Sequence, residues 1–340
     1  MKRIRVLDLK EGIMFTKPVY FNNTNIFVGP NIRISDKDIQ RLVKWRIDEV
    51  QTEGELINPS EANASVSGVL STETVSKIKT EKNEEDLLNV SDFFKKPLSN
   101  IDFDEEEKRL ITEGIDKRYV DLRNRALKVV ADVIENVRQE KLFNTDAVKE
   151  IVNSIVIELE KNKRPFLILA RRFIPGEYYI SHSVNTSMLS LIMGNALKFS
   201  RIKQMSLGLG AILHDIGMMK LPLRITNKQG KLSEEEYNII KTHPILGYKV
   251  LMQDGKFTQD VVAIVLQHHE RLDGKGYPRK IKGEQITELT KIVQVSSVYL
   301  AMISKRSYRE GHQYFDAMRQ LLNGCQGEFD PKFLKLFLSI

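Results

Sequence analysis

The chain of 340 residues has one cysteine, Cys325, so it cannot form an internal disulfide and a reducing compartment suits it. It has no uninterrupted apolar run near the roughly 18 residues that a membrane-spanning helix requires. Its first residues, MetLysArgIleArgValLeuAspLeuLys, are charged and lack the apolar centre of a signal peptide. A cytoplasmic protein is expected. Runs of Lys and Arg are too short to argue for duplex nucleic acid, although the net charge is +7. That surplus suits a smaller anionic ligand, such as a nucleotide, or simply a basic surface.

The apolar share of 41% and charged share of 29% are those of a soluble chain with a real core, and the length predicts more than one domain. Residues 1–54 read as a small β-rich module. Short β-prone runs at 4–6, 19–21 and 25–28 are separated by turn residues, and Ile39, Leu42 and Val43 mark one face of a short helix. No catalytic constellation is visible there, and a packing or regulatory role is expected. Residues 55–103 are rich in Ser, Asn, Glu and Lys, the composition of a polar linker. Apolar residues then recur at helical spacing over 104–139, within a connecting segment 104–143. This helix is expected to pack into a core or to carry a homodimer.

Beyond residue 144 helical patterns dominate, at 146–159, 179–198, 203–214, 233–251, 258–269, 286–304 and 312–322. Ser233 and Glu236 form a capping-box signature, expected to start the helix that carries His243. No internal repeat is evident. The fold class expected is mainly α: a helical bundle over 144–340, preceded by linker helices and the β-rich module.

Five of the six histidines lie between residues 182 and 269: His182, His214 beside Asp215, His243, and the pair His268–His269. Only His312 falls outside. Neutral imidazole is the commonest protein metal ligand, and an adjacent Asp can bridge two ions. Their distribution over several helices is how bundles converge side chains on a metal.

In order, these clusters run HisSerValAsn at 182–185, LeuHisAspIleGly at 213–217, LysLeuSerGluGluGlu at 231–236 and HisProIleLeuGly at 243–247. HisHisGluArgLeuAspGlyLysGlyTyrPro at 268–278 and PheAspPro at 329–331 complete the series. Residues 144–340 thereby resemble the HD-GYP family, a branch of the HD-domain metal-dependent phosphohydrolases. The resemblance implies an all-α bundle holding two or three metals, usually iron or manganese, that hydrolyses cyclic di-GMP to the linear dinucleotide or to GMP. It implies Asp215 as the catalytic carboxylate bridging two ions, with His182 and His214 completing the first position and His243, His268 and His269 the second. Gly276, Tyr277 and Pro278 resemble the substrate-facing loop, where Tyr277 could stack on a guanine or hydrogen-bond near a phosphate, and which could also meet a protein partner. Arg306 and Arg309 stand where the family contacts phosphate.

Three departures accompany the resemblance. Met218 stands where the family usually keeps Lys, and Lys220 follows two residues later. Ser297 and Leu300 replace the two Asp of an AspValTyrAsp element, and no Asp or Glu lies between Thr290 and Arg309. Glu177 lies near the position of the Glu that some members use for a third metal, but the offset favours Tyr178. Loss of an anionic ligand weakens the first position. Two readings of function follow: a dinuclear phosphodiesterase, or a degenerate receptor that binds cyclic di-GMP or a signalling partner without cutting. Hydrolysis of another nucleotide is a third.

Overall fold

The computed structural model describes residues 2–17, 19–20, 26–28, 34, 36–44, 47–57, 104–174, 176–228, 230–304, 311–323 and 327–340. They divide into two compact units, within residues 1–81 and 82–340. Among the described residues, no helix is long and apolar enough to cross a membrane.

The N-terminal unit contains strands β1 (Lys2–Arg5), β2 (Met14–Phe15), β3 (Val19–Tyr20) and β4 (Ile26–Val28), helix α1 (Asp36–Lys44), and strands β5 (Glu49–Thr52) and β6 (Leu56–Ile57). An antiparallel sheet runs in the order β1-β5-β3-β4, with Lys2 opposite Thr52, and β2 pairs separately with β6. Val6, Phe15, Val19, Ile34, Leu42 and Val50 form its core. Ile39 and Leu42 of α1 pack inward, three residues apart on one face. Val43, expected on that face, is 57% exposed because one further residue turns the side chain about 100° away.

The second unit is helical. It comprises α2 (Asp104–Thr112), α3 (Lys117–Arg138), α4 (Thr145–Lys161), α5 (Arg164–Leu169), α6 (Tyr178–Ala196), α7 (Arg201–Leu213), α8 (Leu223–Thr226), α9 (Glu234–Ile240), α10 (His243–Asp254), α11 (Gln259–Gln267), α12 (Glu288–Ile303), α13 (Tyr314–Asn323) and α14 (Pro331–Leu338). Many helices begin where the sequence supplies a cap. Asp116, Asn144, Ser200, Thr287 and Asp330 each accept a backbone N–H of the following first turn. Each such cap contributes about 1 kcal/mol.

Two expected helices are broken. The 104–139 pattern is interrupted at Gly114, whose φ of +87° lies in the left-handed region, and Asp116 caps a new helix. The capping box at Ser233 and Glu236 is present, but its helix ends at Ile240. His243 opens the next one, with Pro244 in the first turn, where proline's missing N–H costs nothing.

Helix α6 is buried without interruption from Ile180 to Gly194, as befits the central element of a bundle. Its small polar residues satisfy neighbouring backbone: Asn185 Nδ2 donates to Arg172 O (2.8 Å) and Ser187 Oγ to Gly208 O (3.0 Å). The apolar face of α3 (Tyr119, Val120, Leu127, Val130, Ile134) joins the same core as α4, α6, α7 and α12. Burying each large aliphatic side chain stabilises the unit by about 1.5–3 kcal/mol.

Candidate metal centre

The clustered residues stand mostly at helix ends. His182 is on the second turn of α6, while His214 and Asp215 directly follow α7 and lead into the short 3-10 turn Ile216–Lys220. His243 opens α10, and His268 and His269 directly follow α11. Gly217 lets the 3-10 turn abut α10. A Cβ there would lie 1.9 Å from His243 O and 2.4 Å from Gly247 N, so only glycine permits this approach.

The six side chains converge. Two groups of donor atoms form, each within 4.8 Å: His182, His214 and Asp215, and Asp215, His243, His268 and His269. Asp215 is common to both. Its Oδ2 lies 3.5 Å from His214 Nε2 and 3.9 Å from His182 Nε2. Its Oδ1 lies 3.3 Å from His243 Nε2 and 3.4 Å from His268 Nε2. Each oxygen of one carboxylate therefore faces a different histidine set.

Backbone contacts orient the rings. Nδ1 of His214, His243 and His268 meets the carbonyl oxygens of Ala211 (2.7 Å), Ile240 (2.8 Å) and Val265 (2.9 Å). A carbonyl only accepts, so Nδ1 carries the proton and the Nε2 lone pair faces inward. His243 Nε2 and His268 Nε2 then oppose each other, lone pair to lone pair, at 3.0 Å. Such an arrangement calls for a cation, and a proton is a poor one here. Burial pushes the His268 imidazole down to about 4 and the His269 imidazole well below its ordinary 6.5. Burial also opposes the charge on Asp215, but the surrounding imidazoles of His214, His243 and His268 outweigh it and hold the carboxyl well below its ordinary range. Neutral imidazoles around an ionised carboxylate fit a divalent metal ion.

Ser297, on α12, completes the His182 side. Its Oγ lies 3.1 Å from His182 Nε2 and 3.3 Å from His214 Nε2. A neutral hydroxyl thus stands beside the first group, at the position where the resemblance places a family carboxylate. Leu300 is fully buried in the core one turn on, and Met218 is likewise buried. Tyr178 stacks on His182, with ring centroids 5.0 Å apart. Glu177 belongs to neither donor group, and burial raises its carboxyl above the usual range. His312 also stands apart, its N–H donating to Met302 O.

Tyr277 lies at the edge of the second group. Its ring stacks on His269 with centroids 4.6 Å apart and 20° between planes, and its N–H donates to His269 O at 3.1 Å. Burial raises the phenol well above its ordinary value, so it stays neutral. Gly276 fits beneath the preceding chain, since a Cβ there would lie 2.4 Å from Arg271 N and 2.5 Å from Glu270 Cα. Pro278 follows through a cis peptide bond. Arg306 and Arg309 lie outside the described residues. Beside Asp215, a narrow space lined by Val133, Tyr179, Ser183, Leu213 and Met219 has room for about one water, too little for a nucleotide. Sequence patterns single out neither the Tyr178 stack nor Glu270, a buried carboxylate immediately after His269. The available signal for Glu270 was only its place between a histidine pair and a glycine-rich loop.

Comparison with known proteins identifies the family. A profile of the HD domain matches residues 146–333. The chain is 32% identical over 218 residues to a cyclic di-GMP phosphodiesterase of Pseudomonas aeruginosa, covering 64% of this chain and 52% of that protein. It is 32% identical over 128 residues to a 3'3'-cGAMP-specific phosphodiesterase of Vibrio cholerae, covering 37% of this chain and 24% of that one. The chain thus spans about half the length of the first of these relatives and less of the second. Among solved structures, an HDG"Y"P protein of Bdellovibrio bacteriovorus superposes with a TM-score of 0.57 at 20% identity, covering 99% of this chain and 98% of that one, which is a likeness of fold. With the profile match spanning more than half its length, and with the motifs in the order His, HisAsp, His, HisHis, GlyTyrPro, the chain belongs to the HD-domain family, in its HD-GYP branch.

Proposed function

We propose that this chain is a metal-dependent phosphodiesterase that hydrolyses cyclic di-GMP at a dinuclear centre. The observation that carries the reading is the position of Asp215, one oxygen toward His182 and His214 and the other toward His243 and His268. His182, His214 and Asp215, with Ser297 beside them, would hold one ion; Asp215, His243, His268 and His269 would hold the other. Iron or manganese suits imidazole and carboxylate donors without thiolate. Bound divalent ions supply Lewis acidity toward phosphodiester oxygens and acidify a water to a competent nucleophile.

The chain's own residues do the rest. Asp215 stays ionised and offers charge to both positions, and the backbone carbonyls behind His214, His243 and His268 keep their Nε2 lone pairs inward. Tyr277, neutral and held against His269, offers an aromatic surface for a guanine base, and Gly276 and Pro278 shape the loop that presents it. Arg306 and Arg309 are proposed to grip phosphate in bidentate fashion. The N-terminal module is proposed as regulatory, a homodimer as forming through the 104–139 helices, and a protein partner as docking at the GlyTyrPro loop.

A second reading, a receptor that binds cyclic di-GMP without cutting it, is favoured by one observation: the Ser297 hydroxyl beside His182 and His214. Metal-loaded protein incubated with cyclic di-GMP, under reducing and oxidising conditions, separates the two. Linear dinucleotide or GMP is expected. Tight binding with intact nucleotide would leave the receptor, and turnover of 3'3'-cGAMP in its place would move the substrate.

A further inference from the structure

Glu270 is 2% exposed; burial opposes the charge on its carboxylate, and backbone N–H groups and the nearby Arg279 charge favour it. Its partners are backbone groups beyond the GlyTyrPro motif. Oε1 accepts the N–H of Arg279 at 2.6 Å and Oε2 that of Ile281 at 3.1 Å. Pro278 has no N–H to offer, so residue 279 is the first position after Tyr277 where the chain can be tied down by a donated backbone bond. Before the motif, Tyr277 N–H is held by His269 O, and Gly276 packs directly against Glu270 Cα. The main-chain oxygen of Glu270 accepts from Gln294 Nε2 at 2.6 Å, which fixes the residue to α12, the helix that carries Ser297. One residue thus joins the histidine pair, the loop and α12, the loop through its side chain and α12 through its main chain.

We propose that Glu270 is a positioning residue, whose carboxylate clamps residues 279–281 and thereby holds Tyr277 in the orientation that receives a base of the cyclic dinucleotide. This rests on the function proposed above. A carboxylate suits the task because it accepts two separate N–H groups in one plane with charge-assisted strength. Glutamine in its place keeps one acceptor and turns an NH2 toward the other backbone donor, leaving that N–H unsatisfied.

The test compares wild type, Glu270→Gln and Glu270→Ala as full-length, metal-loaded chains. Metal content, hydrogen exchange across residues 276–283 and calorimetric affinity for cyclic di-GMP are measured on each. Metal content is expected to stay at the wild-type value in both variants. Exchange at Arg279 and Ile281 is expected to accelerate about tenfold or more, and the dissociation constant to rise about tenfold, with Gln between wild type and Ala. Wild-type affinity with accelerated exchange would overturn the proposal, because the clamp would then not serve the ligand. Unchanged exchange would overturn it as well. If wild type binds no cyclic di-GMP, the functional reading fails by itself and exchange still decides whether the clamp exists. If Ala does not fold, the near-isosteric Gln variant carries the comparison.

Discussion

Ser297 Oγ lies 3.1 Å from His182 Nε2 and belongs to the same side of the centre as His214 and Asp215 Oδ2. A hydroxyl brings a lone pair but no charge. The two positions flanking Asp215 are therefore unequal: three imidazoles with a carboxylate oxygen on one side, two with a carboxylate oxygen and an alcohol on the other.

Ser297→Asp should strengthen the His182 position. A carboxylate there adds an anionic donor, and the affinity of the weaker ion is expected to rise by at least about tenfold. Metal analysis after dialysis against a mild chelator checks this. Equal ion content in wild type and variant would count against the assigned ligand geometry.

Asp215→Ala should remove most of the bound metal, because both positions lose their shared carboxylate at once. Elemental analysis of the purified variant is the measurement. Unchanged content would show that Asp215 is not the bridge.

Tyr277→Ala should weaken cyclic di-GMP binding by between about fivefold and a hundredfold, the range for losing one aromatic–base stack, with metal content intact. Calorimetric titration of metal-loaded protein reads it. Unaltered affinity would remove Tyr277 from the ligand surface.

The metal-free protein should lose stability as pH falls from 6.5 toward about 4. Burial holds the folded-state His268 imidazole at about 4, against an ordinary 6.5, and holds His269 low as well. Below 6.5 the unfolded chain takes up protons that the folded chain refuses, so acidification favours unfolding until the folded imidazole also titrates. Melting temperatures of chelator-stripped protein across this window test it. A flat profile would contradict the burial of the neutral pair.

Gly217→Ala should destabilise the fold by about 2–3 kcal/mol, since the added methyl meets the backbone of α10 rather than a yielding side chain. Chemical denaturation measures the loss. A variant as stable as wild type would mean that the 3-10 turn and α10 are not held in this close approach.

The sequence by itself determined the helical class of the second unit, the donor chemistry, the order of the motifs and the departures at Met218, Ser297 and Leu300. Those features are local or periodic: apolar spacing reports a helix face, and a residue type reports its own charge and lone pairs. Only the tertiary structure decided that one carboxylate, Asp215, faces two histidine sets, and that Ser297 reaches His182 across 115 positions of chain. It also decided that the patterns at 104–139 and 233–251 each contain a break, because helical periodicity continues across a turn that Gly114 or Pro244 and their packing permit. The clamp from Glu270 was hidden for the same reason. A buried carboxylate bonded to backbone N–H groups leaves no pattern in side-chain spacing, and its partners exist only once the loop has folded back.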